Sequence, residues 1–65
     1  MNLNSIDTNL IKWYLEENNL SVTQFCKICK ITPTTYKKIM ANENLDFIAL
    51  YKIARVIKIN VYQMF

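Results

Sequence analysis

The chain has 65 residues, with 8 Lys and Arg against 5 Asp and Glu, a single Pro, two Cys, and neither His nor Gly. A chain of that length holds one small domain with a thin core, which leaves no room for the lid or second lobe of most multi-step enzymes. Its longest apolar run, Phe47 to Tyr51, is five residues, far short of the roughly 20 needed to cross a bilayer. The start, Met1-Asn2-Leu3-Asn4-Ser5, lacks the basic, apolar and small-residue parts of an export signal, so a cytoplasmic location is expected.

Cys26 and Cys29 form a C-x-x-C, but a zinc site draws its ligands from Cys, His and carboxylates, and the chain has no other Cys and no His. A redox pair would follow a strand, whereas these two lie in a helical pattern. They are expected to be two small apolar core residues one turn apart. No Ser/His/Asp, Cys/His or paired-carboxylate set can be assembled, and the absence of Gly removes every phosphate loop built on it. The chain is therefore not expected to be an enzyme. No cofactor, metal or small-molecule ligand is expected either.

In chain order, residues 1–6 read as a flexible N-terminal tail and 7–65 as the folded domain. Leu10, Ile11, Tyr14 and Leu15 recur at helical spacing behind Asp7 or Thr8 as cap, giving a first helix from Asp7 to Asn18. Asn18-Asn19 ends it, because Asn tolerates a left-handed backbone. Ser21 caps a second helix, Val22 to Cys29, whose inner face is Val22, Phe25, Cys26 and Cys29. Thr32 as cap and Pro33 as first residue start a third, since Pro fits that position and not a helix interior. Tyr36, Ile39 and Met40 line its inner face. Thr34, Thr35, Lys37, Lys38 and Ala41 lie outside, and Asn42 to Asn44 ends it. Asp46 caps a fourth helix in which Phe47, Leu50, Ile53, Ala54 and Ile57 keep the period through Lys58. Asn60 permits a turn, and Val61, Met64 and Phe65 form a closing one. The fold class is all-α, a compact bundle of four to five short helices without strands.

Charge is unevenly spread. From Asn18 to Asn42 there is no acid, while Lys27, Lys30, Lys37 and Lys38 give that window +4, leaving −1 for the rest of a chain of net charge +3. Such a basic face suits a polyanion, although lysines also solvate ordinary helix surfaces. The window spans two short helices joined tightly, the second opening Thr32-Pro33-Thr34-Thr35. Small hydroxyl residues at a helix start can approach phosphates and base edges, and the first turn aims backbone N–H groups at anions.

Three segments in this order, Leu20 to Cys29, Lys30 to Ile39 and Ile53 to Met64, resemble the lambda-repressor-like (Cro/CI, or XRE) helix-turn-helix family. The resemblance covers about Leu10 to Met64. It implies a five-helix bundle in which the second helix lies across the DNA backbone and the third, Pro33 to Ala41, enters the major groove of double-stranded DNA. It places Thr23, Lys27, Pro33, Thr34, Thr35, Lys37 and Lys38 toward DNA, with Ile31, Tyr36, Ile39 and Met40 holding the recognition helix to the core. The chain departs from the family pattern at Val22, where Gln is frequent, and at Cys26, Lys30, Met40 and Asn42, where Ala, Gly, Glu and Gly are usual. Asn42 can take a positive φ, and a left-handed Lys30 would carry a modest strain.

A core this thin cannot bury all eight aromatics. Trp13 is expected to pack against the fourth helix. Tyr51, Val56, Tyr62 and Phe65 are expected to form a homodimer interface, unless Tyr62 and Phe65 fold back onto Trp13. The function implied is a sequence-specific DNA-binding transcriptional regulator, a repressor occupying an operator. The alternative is a helix-turn-helix scaffold used for protein contact, antitoxin-like or antirepressor, whose basic face docks an acidic partner.

Overall fold

Each described helical segment of this chain begins on a side chain that accepts a backbone hydrogen bond, and each of the four α-helices is followed by a residue that reverses the chain. A computed structural model describes residues 5–43 and 45–65. It contains α1 (Thr8–Glu17), α2 (Val22–Cys29), α3 (Pro33–Met40), α4 (Phe47–Ile57) and a closing 3-10 turn (Val61–Met64). The caps are Asp7, Ser21, Thr32, Asp46 and Asn60, each accepting from a backbone N–H two or three residues on. They satisfy donors that the helices cannot satisfy internally. Ser21 and Gln24 close a full capping box, with Gln24 N donating to Ser21 Oγ at 3.1 Å and Ser21 N to Gln24 Oε1 at 2.8 Å.

The far ends share one device. Asn19, Lys30, Asn42 and Lys58 have φ of 51°, 60°, 56° and 69°, the left-handed region in which glycine is usual. In each case the next residue donates back across the turn: Leu20 N to Leu15 O, Ile31 N to Cys26 O, Glu43 N to Lys38 O and Ile59 N to Ala54 O, at 2.8 to 3.0 Å. This is the Schellman closure. Lys58 is the left-handed residue after α4, so α4 ends at Ile57. Asn60, expected to make that turn, has φ −74° and caps the closing turn instead.

Ile11, Phe25, Ile39, Leu50, Ile53 and Met64 are fully enclosed, so every segment contributes to one core. Phe25 stands at its centre, edge-on to Tyr36 with centroids 6.1 Å apart and tilted against Tyr14 at 5.9 Å. α4 packs on α2 and on the closing turn, and α2 packs on α3. Cys26 and Cys29 are buried free thiols in this core. Among the described residues no helix is long and apolar enough to cross a membrane, and no cluster of metal-ligating side chains occurs.

Further expectations need correction. Ile6, assigned to a flexible tail, is buried, and its N–H donates to Asn42 Oδ1 at 2.6 Å, while Asp7 N donates to Met64 O at 2.6 Å. The apolar side chain is drawn into the core because the turn after α3 and the C-terminal turn offer acceptors for the backbone that carries it. Residues 1–4 and Asn44 lie outside the described residues. Trp13 is 56% exposed and not packed on the core. Once Ile11, Tyr14 and Leu15 face inward, the helical period turns Trp13 outward. Phe65 stacks on Phe47, with centroids 5.8 Å apart, and not on Trp13, because the closing turn lies against α4.

A left-handed Lys stores about 1 kcal/mol that Gly would release. Lys58→Gly should accordingly raise unfolding free energy in urea by roughly 0.5 to 1 kcal/mol, and a loss of stability would contradict the closure described. Burial lifts both thiols above their ordinary 9.0, Cys29 to about 11 with a further push from Cys26, and burial also raises Tyr36. The unfolded chain then releases these protons first, so stability is complete below pH 9 and falls as the pH rises toward 11. Thermal melts across that window should show the fall, and Cys29→Ala should make it shallower.

Candidate nucleic-acid interface

The surface opposite Phe25 is built by α2, the turn at Lys30, and α3. The Schellman closure at Lys30 reverses the chain directly after α2, and Thr32 restarts it one residue beyond Ile31. Thr32 Oγ1 accepts from Thr35 N at 3.1 Å and donates to Thr35 Oγ1 at 2.9 Å. Pro33 brings no N–H, Thr35 N is taken by the cap, and Tyr36 N donates to Thr32 O. Among the described residues Thr34 N–H is the donor of that first turn without a partner.

On α3 the buried residues are Tyr36 and Ile39, with Met40 half-buried against the core. That orientation leaves Pro33, Thr34, Lys37 and Lys38 exposed. At helical spacing these four fall on one face, with the two ammonium groups about 100° apart around the axis. On α2, Thr23 and Lys27 are exposed and four residues apart, so they share a face. Six of the seven residues expected to meet DNA are thus exposed on α2 and α3. The seventh, Thr35, is half-buried, with its hydroxyl bound to Thr32. It belongs to the cap that starts the helix.

Two features of this surface went unread in the sequence. Gln24 is exposed yet occupied by the capping box, a role that the Ser21 to Gln24 spacing signals. Lys52 of α4 reaches the turn, its Nζ donating to Lys30 O at 3.4 Å, a contact between distant positions that no local pattern announces. Val22, expected on the inner face of α2 with Phe25, Cys26 and Cys29, is instead exposed, because it opens the helix at the rim of the core, and it presents only methyl groups where the family often has Gln.

The residues expected at a dimer interface do not form one patch. Tyr51 and Tyr62 are 59% and 63% exposed and line one groove with Arg55 and Val61. Phe65 is half-buried on Phe47, beside them on α4. Val56, expected with them, is instead half-buried on the other flank of α4, next to Ile28. Five positions separate it from Tyr51, about 140° around the helix.

No curated protein and no solved structure matches the chain. Residues 11–63 match the family model described as Helix-turn-helix, which runs from the first buried residue of α1 into the closing turn. The match and the geometry of α2, turn and α3 agree, and the chain belongs to the Cro/CI, XRE-type helix-turn-helix family of DNA-binding regulators.

Proposed function

We propose that the protein is a sequence-specific regulator of transcription that represses by occupying an operator, with α3 in the major groove of double-stranded DNA. The observation that carries this reading is the exposed face of α3, where Lys37 and Lys38 stand beside Thr34 and the free N–H of a Pro-started helix. The ammonium groups neutralise phosphates, and the Thr34 hydroxyl and methyl reach base edges. α2 lies across the backbone through Thr23 and Lys27.

The protein acts as a homodimer in this reading. The aromatic flank of α4, Tyr51 with Tyr62 and the Phe47–Phe65 pair, supplies the contact, because large exposed rings side by side gain most from being covered. A two-fold axis there sets two recognition helices about 34 Å apart, one turn of DNA.

Selection of duplexes from a random pool should return two related half-sites separated by about 10 base pairs. Recovery of no preferred sequence would contradict specific recognition. For the selected duplex, Lys37→Ala/Lys38→Ala should weaken binding at least about tenfold and reduce the salt slope by about 2, with the melting temperature unchanged. An unaltered slope would remove those lysines from the interface. Light scattering should give twice the monomer mass at tens of micromolar (roughly, for an interface of this class), and Tyr62→Glu should halve it. A monomer in both cases would contradict the dimer.

A further inference from the structure

We propose that the groove between the end of α2 and the cationic flank of α4 docks an acidic, amphipathic segment of a partner protein. The groove is about 330 Å³ and is lined by Ile28, Lys30, Lys52, Arg55 and Val56 over the buried Cys29. Ile48 lies beyond it along α4, where it lines two adjoining depressions, one with Lys52 and Asp46 and the other with Lys52, Arg55, Phe47 and Tyr51. The site lies outside the α3 face and stands whether or not that face binds DNA.

Two observations single it out. Ile28 is 50% and Ile48 71% exposed, and neither side chain serves the core or the DNA-facing surface. Ile28 sits about 100° round α2 from Lys27, turned toward α4. Around Ile28 stand three cations, and among the described residues none that lines this groove is acidic. The neighbouring acid, Asp46, is committed to the start of α4, accepting from Ile48 N at 2.9 Å and Ala49 N at 3.3 Å. Lys52 gives one of its three donors to Lys30 O, and among the described residues the other two have no partner.

Charge selects the occupant. A second copy with its two-fold axis through this groove would press Lys30 and Lys52, which lie outside the Tyr51 and Tyr62 groove, onto their own equivalents, which like-charge repulsion opposes. A phosphate backbone satisfies the cations but leaves Ile28 and Ile48 facing a charged, hydrated chain. A helix with an apolar stripe and flanking carboxylates satisfies both, its apolar anchors between the two isoleucines and its acids over the Lys and Arg heads.

A synthetic helical peptide of about 16 residues, with Leu at i, i+4 and i+7 and Glu on the flanks, is the probe. Its controls are the same peptide with Lys for Glu and a reordered acidic peptide without the stripe. The fluorescently labelled striped acidic peptide should bind the full chain at least about tenfold tighter than either control. Its binding should move amide NMR signals at Ile28, Lys30, Lys52 and Arg55. Lys52→Ala/Arg55→Ala and Lys37→Ala/Lys38→Ala remove the same charge, so bulk electrostatics cannot separate them. The first pair should cost most of the peptide affinity and the second little, and for duplex DNA the order should reverse. Arg55→Ala alone leaves the Lys52 to Lys30 bond in place and guards against misfolding, with Ile28→Ala as the apolar counterpart. Equal binding of the reordered peptide, shifts confined to α3, a dimer that hides the groove, or duplex affinity lost chiefly through Lys52 and Arg55 would each overturn the proposal.

Discussion

The turn at Lys30 governs what this molecule can present. A helix-turn-helix needs the chain to leave α2 and restart as α3 within three residues, and a left-handed residue after α2 is what makes so short a link possible. The chain has no glycine to place there. Lys30 takes φ 60° against its own side chain's preference, and the cost is offset by the bond from Ile31 N to Cys26 O and by the burial of Cys26. The same solution recurs at Asn19, Asn42 and Lys58, so strain is spread over four joints and each is held by the hydrophobic core that it serves.

From that constraint the functional surface follows by packing. Phe25 and Tyr36 meet edge to face across the turn, which fixes the rotation of α3 about its axis. With Tyr36 and Ile39 inward, Thr34, Lys37 and Lys38 have only solvent to face. The cap at Thr32 and the ring of Pro33 set where the helix begins, and therefore where its free N–H lies. Recognition chemistry here is thus a by-product of core geometry, and the outer surface of α4 divides in the same way. Its aromatic flank adjoins the closing turn and its cationic flank adjoins the turn at Lys30, with Arg55 lining the grooves on both sides.

Much of this was legible in the sequence. α2 is legible to the residue because Ser21 caps it and Phe25, Cys26 and Cys29 keep the period, and the start of α3 because Thr32-Pro33 admits few other readings, while its end falls at Met40, one residue before the expected Ala41. The basic window was visible as an absence of acids from Asn18 to Asn42. What was not legible is long-range. Ile6 looked like part of a tail because its partners, Asn42 and the C-terminal turn, lie tens of residues away. Trp13 does not reach the fourth helix because its place in the helical period turns it outward. Lys58 looked like the last helical residue, and Asn60 like the turn, because Asn is the more familiar left-handed residue. The grouping of Tyr51 with Val56 failed for a simpler reason, since neighbours in sequence on one helix can face opposite flanks.

The central claim is that α3 presents its lysines and Thr34 to the double helix, and a map of amide NMR shifts upon addition of a generic DNA duplex at low salt tests it without knowledge of the operator. The account predicts the largest changes at Thr34, Lys37 and Lys38, smaller ones at Thr23 and Lys27, and still signals at Lys52 and Arg55. Changes centred on α4, or none at any duplex concentration, would contradict it.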